Sequence, residues 1–138
     1  MSALIFEKIQ TQRSKYFSLL HLILVAVISS CGNQTKLPDP LAAGWHGESV
    51  CKVLEENESI RSLKCTFPPG VGHERHFHSA HFGYTLKGSK FQITDTTGTR
   101  EVNVPTNYSF YNDFIEWHEV LNIGEDTAIF LIIEPKNL

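Results

Sequence analysis

Residues 70–88 read GVGHERHFHSAHFGYTLKG and contain four of the seven histidines of this 138-residue chain. Within them, His76 and His78 stand two positions apart. Alternate residues of a β-strand face the same side, so this spacing aims two imidazoles at one point. Neutral imidazole suits zinc, copper, iron and nickel. The segment therefore predicts a strand that carries metal ligands, and a solvated histidine-rich strand is the alternative.

A further histidine, His118, is followed after three intervening residues by Asn122. Together the two segments resemble the two motifs of the cupin family. The first motif places a glycine, five residues and a His-x-His pair before a closing glycine, as Gly70 and Gly88 do here. The second motif ends in a histidine and a later asparagine. The resemblance spans residues 45–136 and implies an all-β fold, a single cupin jelly-roll β-barrel.

The resemblance implies that His76, His78 and His118 are metal ligands. His81 stands where the family usually has a glutamate ligand, although it follows His78 after two residues rather than three or four. We expect His81 to be the fourth ligand. A position beside the metal, or an acid or base role, is the alternative. Strand parity also places Glu74 on the side of the ligands, which leaves it open as a carboxylate ligand.

The implied cofactor is one divalent transition metal ion, whether iron, manganese, nickel, copper or zinc. An all-imidazole ligand set adds no negative charge, so the ion keeps its full charge toward an anionic substrate. Thiol dioxygenases among the cupins likewise lack the glutamate. The resemblance thus implies a metal-dependent enzyme of the oxygenase, isomerase or lyase type that acts on a small molecule. Two alternatives stay open: a non-catalytic module that binds or senses a small molecule or metal, and a barrel with a structural metal or none.

Aromatic side chains surround both motifs, and we expect most of them in the barrel core and a few around a cavity. Tyr84 and Tyr111 are the expected phenol donors near the site. Gly83, which is close to His81 in sequence, is expected to leave open space near the metal. The two remaining histidines of the mature chain, His46 and His73, are expected at the surface.

Short β-forming segments alternate with turn residues after Trp45, and nothing after residue 30 carries a helical period. The predicted strands are 49–54, 59–67, 82–86, 90–94, 99–104, 108–111, 119–121 and 127–133. We expect the first two to pair as a hairpin around Glu56 and Asn57, and the next two around Lys87-Gly88-Ser89. The last is nearly unbroken in apolar character and is expected to be covered on both faces.

The first thirty residues are typical of a secretory signal, with basic residues followed by an apolar run from Leu22 to Ile28. The end of this run, Ile28-Ser29-Ser30-Cys31, resembles the lipobox of bacterial lipoproteins. Residues 1–30 are therefore expected to be a lipoprotein signal peptide, Cys31 to take the lipid, and residues 31–44 to form a tether. A plain signal peptide with a chance cysteine is the alternative.

The expected location is the bacterial cell envelope, where a lipid at Cys31 would anchor the barrel to a membrane facing the periplasm. Gly32 rather than an aspartate follows the cysteine, which favours the outer membrane over the inner one. Removing residues 1–30 changes the net charge from −3 to −5, because that segment carries a net +2. No basic patch remains for nucleic acid. The expected partners are a small-molecule substrate or ligand and a second copy, because cupins often pair.

Cys51 and Cys65 remain as an even pair if Cys31 carries lipid, and the compartment is oxidising. The predicted hairpin brings them near one another across its two strands. Both share strand parity with Leu63 and Phe67, so both are expected to face the core. A disulfide and two buried free thiols are the two alternatives.

Overall fold

The alternating segments become nine β-strands in residues 36–137, the part of the chain that the computed structural model describes. They are β1 Cys51–Glu56, β2 Ile60–Phe67, β3 Gly72–His78, β4 His81–Lys87, β5 Ser89–Asp95, β6 Gly98–Val104, β7 Ser109–Asn112, β8 Ile115–Asn122 and β9 Ala128–Pro135. In these residues no helix has the length and apolar character needed to cross a membrane. The predicted signal peptide and Cys31 lie outside the described residues.

The strands form two antiparallel sheets, ordered β1-β2-β9-β4-β7 and β3-β8-β5-β6. This is the predicted all-β jelly-roll barrel. Each predicted strand coincides with an observed one to within a few residues. The core lies between the sheets and is built from inward side chains of both. Its buried members are Cys51, Leu63, Cys65, Phe67, Phe91, Ala128 and Ile132.

The predicted hairpin around Lys87-Gly88-Ser89 is wrong. β4 pairs with β7 and β9, whereas β5 pairs with β6 and β8, so the chain changes sheets between them. Gly88 is needed here for close approach, because an added Cβ would collide with the backbone carbonyl of Val104. A glycine that permits backbone contact and a glycine in a hairpin turn look the same in sequence.

The other predicted hairpin is confirmed. β1 pairs with β2, and Cys51 lies directly opposite Cys65. Both side chains are buried, and the structure joins them by a disulfide. Val53, which shares the strand parity of Cys51 and lies opposite the buried Leu63, is nevertheless 39% exposed.

β9 lies at the centre of its sheet, between β2 and β4, but it is covered on one face only. Ala128, Ile132 and Glu134 point inward and are buried. The alternating residues Leu131 and Ile133 are half-buried on the outer face, so the expected double cover is absent from this strand. Its apolar sequence marks a central strand with an apolar outer surface.

The segment before β1 packs against the barrel. The carbonyl of Pro38 accepts a hydrogen bond from Phe77 N (3.1 Å), and that of Gly44 accepts one from Glu74 N (2.8 Å). Pro40 is fully buried. Residues 38–44, assigned to a tether from the sequence, therefore cover the free edge of β3.

Candidate metal centre

β3 carries three histidines that all face the barrel interior: His73, His76 and His78 are 3%, 0% and 6% exposed. This requires irregular pairing with β8. His73 lies opposite Val120 and His76 opposite His118, so three steps on β3 match two on β8. The extra residue forms a β-bulge, which reverses the facing of the residues that follow it.

The bulge overturns two expectations. His73 is buried rather than at the surface, and its ring lies against His76 with centroids 3.9 Å apart. Glu74 is exposed, and its carboxylate accepts a hydrogen bond from the backbone nitrogen of His46 (3.0 Å), so it does not face the other histidines. His46 is exposed, as expected. Strand parity counted from the sequence gives the wrong facing for Glu74, because the bulge turns both Glu74 and Arg75 outward.

His76, His78 and His118 converge at one point. The Nε2 atom of His76 lies 2.9 Å from Nε2 of His78 and 3.0 Å from Nε2 of His118. The three ligand atoms all lie within 4.8 Å of one another, and these residues could hold a metal ion. Among residues 36–137, this is the one such group of three or more histidine, cysteine or acidic side chains.

Hydrogen bonding gives His76 the tautomer that a metal requires. Its Nδ1 lies 2.6 Å from the backbone carbonyl of Glu74. A carbonyl oxygen only accepts, so Nδ1 carries the proton. Nε2 then points its lone pair into the cluster formed by His76, His78 and His118. Metal-binding histidines usually donate their second ring N–H in this way. The residues present therefore fit a transition metal ion.

Burial keeps these imidazoles neutral, which is the form that binds metal. Loss of hydration lowers the pKa of His76 to about 2 and that of His118 to about 4. The pKa of His78 is lowered further, first by burial and then by its histidine neighbours. Burial also lowers the pKa of His73. The imidazoles of the cluster are thus uncharged in the folded chain, each with one ring proton.

His81 lies beside the cluster but is not one of its three converging members. Its ring centroid is 4.4 Å from that of His78, and its Nδ1 donates to the carbonyl of Ser79 (2.8 Å). Nε2 accepts a hydrogen bond of 3.3 Å from the amide of Asn112. A fourth-ligand role and an acid or base role for His81 both stay predictions.

The histidines form part of the wall of a cavity of about 510 Å³ between the two sheets. Its apolar lining includes Phe91, Ile93, Val102, Phe110, Ile115 and Phe130. An ion pair also lines it, in which Arg100 Nη1 lies 2.6 Å from Asp95 Oδ2. Asp95 is the cross-strand partner of His118. Asp95 shares strand parity with Phe91 and Ile93, and this pattern could have indicated from the sequence that Asp95 faces the cavity.

The phenols near the site differ from those expected. The hydroxyl of Tyr84 donates to Asn107 Oδ1 (3.1 Å) in the exposed loop before β7, and Tyr111 is 55% exposed. Tyr108 lines the cavity instead. Tyr108 shares strand parity with Phe110, which lines the same cavity, and this was the sequence signal that could have identified it.

Gly83 does not leave open space near the histidines. The ring of Phe110 lies directly against it, so that an added Cβ would collide with the ring. Phe110 also approaches His81, with ring centroids 6.0 Å apart. The glycine therefore lets an aromatic ring fill the barrel wall beside the cavity.

Two antiparallel sheets with inward histidines on β3 and β8 define a cupin-type barrel. A cupin domain from Bordetella pertussis Tohama I has this fold, with a TM-score of 0.59 and 21% identity over 74% of this chain and 98% of that chain. A RmlC-like cupin family protein with a double-stranded β-helix fold from Methanocaldococcus jannaschii has a TM-score of 0.53 and 17% identity, covering 62% of this chain and 78% of that one.

The polyketide cyclase RemF from Streptomyces resistomycificus is similar over 62% of this chain and 63% of its own, with 19% identity and a TM-score of 0.52. At these identities the likeness shows the fold. No family profile matches the sequence. No curated protein matches it either.

Proposed function

We propose that this protein is a metal-dependent enzyme that acts on a small molecule inside the barrel. His76, His78 and His118 would hold one divalent transition metal ion, with His81 as the fourth ligand. The observation that carries the proposal is the convergence of three imidazole Nε2 atoms on the wall of a 510 Å³ cavity. Catalytic sites keep an open position beside the metal, and the cavity supplies the space for one.

A metal bound here would supply Lewis acid or redox chemistry of the oxygenase, isomerase or lyase type. The protein's own side chains would bind and orient the substrate. The aromatic and aliphatic walls exclude water from the reacting group. As the alternative to ligation, His81, whose Nε2 accepts a hydrogen bond of 3.3 Å from Asn112, would hold a proton or orient a polar group beside the cluster.

The charges in the cavity favour a small anion with an apolar body as substrate. Three neutral imidazoles leave the charge of a bound ion uncompensated. Asp95 and Arg100 neutralise each other, so they do not cancel that charge. Apolar side chains line most of the remaining wall. A carboxylate, thiolate or enolate on a hydrophobic skeleton therefore suits the cavity best.

Metal analysis combined with turnover tests this proposal. The chain after residue 30 should contain about one metal ion per molecule and should consume a member of a panel of small apolar carboxylates, thiols and phenols. His76→Ala should lose both properties, whereas His46→Ala, at an exposed position, should keep both. Metal binding and ligand binding without turnover would instead favour a non-catalytic binding or sensing module.

We also propose that Cys31 anchors this barrel to the bacterial envelope, on the periplasmic side and in the outer membrane. The support is the order of charge, apolar run and Ile28-Ser29-Ser30-Cys31 in the sequence. We propose further that two copies pair through the outer face of the β1-β2-β9-β4-β7 sheet. Phe82 is 39% exposed there and pairs with Ile133, which presents an apolar surface.

A further inference from the structure

Two buried polar atoms face each other behind the metal-binding side of His78. Nδ1 of His78 lies 3.9 Å from Oε1 of Glu134, and the two side chains are 7% and 5% exposed. Neither atom has a hydrogen-bond partner. Leaving a buried polar atom unpaired is unfavourable, so each such atom requires an explanation. Here one atom is a potential donor and the other an acceptor.

Glu134 is held in place from its other side. It lies opposite Arg61 in the β2–β9 pair, and Arg61 Nε donates to its Oε2 at 2.6 Å. Arg61 also donates through Nη1 to Asp39 Oδ2 at 2.8 Å, in the segment that covers the edge of β3. One oxygen of Glu134 is thus satisfied by a guanidinium that can only donate. The other oxygen, Oε1, faces His78.

The neighbouring histidines show what His78 lacks. Nδ1 of His76 donates to the carbonyl of Glu74, and Nδ1 of His81 donates to the carbonyl of Ser79. Each bond leaves Nε2 with its lone pair available. No backbone carbonyl accepts a hydrogen bond from Nδ1 of His78, which is unpartnered. Oε1 of Glu134 lies 3.9 Å from this nitrogen.

We propose that Glu134 is a positioning residue that holds the proton of His78 on Nδ1 and so keeps Nε2 as the ligand atom. This inference rests on the proposed metal site. At 3.9 Å the contact is a charge–dipole interaction rather than a hydrogen bond. Unlike the carbonyls behind His76 and His81, Glu134 brings a negative charge to an all-imidazole cluster. An outer carboxylate of this kind raises the basicity of the ligand nitrogen.

Glu134→Gln is a sharp test because Arg61 dictates how the amide must turn. The guanidinium only donates, so the amide oxygen of glutamine faces Arg61 and its NH₂ faces His78. The positive end of the NH₂ dipole then faces Nδ1 and favours a lone pair there, which favours the imidazole proton on Nε2. In the metal-free chain Nε2 of His76, 2.9 Å from Nε2 of His78, competes for the same proton. Nitrogen-15 NMR of histidine should therefore show a larger fraction of His78 protonated on Nδ1 in the wild type than in the variant.

Zinc affinity, measured by competition with a chromogenic chelator, should fall about 10- to 100-fold in Glu134→Gln. Asp39→Asn is the matched control, since it weakens the ion pair between Asp39 and Arg61 and leaves the carboxylate of Glu134 in place. This control should lower stability to urea but leave the His78 tautomer and zinc affinity near the wild-type values. Equal effects of both variants on affinity would mean that the network only supports the fold.

An unchanged His78 tautomer together with unchanged zinc affinity in Glu134→Gln would overturn the proposal. If that variant does not fold, the wild-type spectrum still decides, because a His78 protonated on Nε2 alone contradicts the assignment. Failure of the wild type to bind any metal would overturn the proposed function instead. The tautomer measurement needs no metal, so the two failures are distinguishable.

Discussion

The rings of His73 and His76 lie together inside the barrel, with centroids 3.9 Å apart, although residues three apart on a regular strand face opposite sides. The bulge at Glu74 and Arg75 makes this contact possible. Nε2 of His73 is buried without a hydrogen-bond partner, and the residue lines the same cavity as the cluster. His73 therefore belongs to the wall of the site, outside the three converging ligand atoms.

Single substitutions should separate ligands from wall residues. His76→Ala and His118→Ala should each lose most of the bound metal ion, because each removes one of the three converging imidazoles. His73→Ala should retain metal with a modest loss of affinity. Metal content after dialysis, measured by plasma mass spectrometry, checks this. Retention of a full equivalent by His118→Ala would contradict the ligand assignment.

The metal-free protein should lose stability as the pH falls below about 6.5, the ordinary histidine value. Burial lowers the pKa of His118 to about 4 and that of His76 to about 2, so these side chains take up protons on unfolding. Below pH 6.5 the unfolded chain binds more protons than the folded chain, so the free energy of unfolding decreases as the pH is lowered. The loss should continue down to about pH 4 for His118 and lower for His76.

Urea unfolding of the metal-free chain at pH 7, 6, 5 and 4 measures this dependence. Each buried histidine should contribute at most about 1.4 kcal/mol per pH unit. His118→Gln should show a shallower slope, because it removes one of the groups that titrate. A slope equal to that of the wild type would show that carboxylates dominate the acid response.

Reduction should destabilise the barrel through Cys51 and Cys65. Their disulfide closes a loop with a sequence separation of 14 residues. A loop of this size contributes about 3 kcal/mol in the chain-entropy model, because it restricts the unfolded chain. Thiol counting on the denatured, non-reduced chain should find neither cysteine free. The double variant Cys51→Ala/Cys65→Ala should unfold at the same urea concentration with and without reductant.

Cys31→Ser should release the protein from membranes, because lipid attachment requires the thiol. Fractionation of bacterial cells expressing the full chain should place the wild type in the membrane pellet and the variant in the soluble fraction. Asn33→Ser, two positions further on, is the matched control and should stay with the wild type. An unchanged distribution of Cys31→Ser would count against lipidation.

Phe82→Lys should convert a dimer to a monomer if two copies pair through the outer sheet face. The charge would be buried against apolar side chains of the partner, which is unfavourable without a counter-ion. Light scattering during size-exclusion chromatography gives the mass directly. Thr94→Lys, on β5 of the other sheet, serves as the control. A wild-type mass of one chain at all concentrations would exclude this pairing.

Much of the site could be predicted from the sequence because its signals are local. The alternation of apolar and polar residues marks each strand, and the two-residue spacing places His76 and His78 on one face. The match of His118 to the second motif located a ligand candidate from a distant strand. The hairpin of β1 and β2 followed from the turn between them, and with it the apposition of Cys51 and Cys65.

Tertiary structure alone decided how the strands beyond the β1–β2 hairpin pair and where pairing is irregular. Gly88 carries the chain between sheets instead of turning it back, and the bulge in β3 sends Glu74 outward and His73 inward. Glu134 reaches the back of His78 from β9 only because the two sheets close into a barrel. These features depend on partners far away in the chain, and a local pattern with a period of two identifies neither the partner strand nor the position of a bulge.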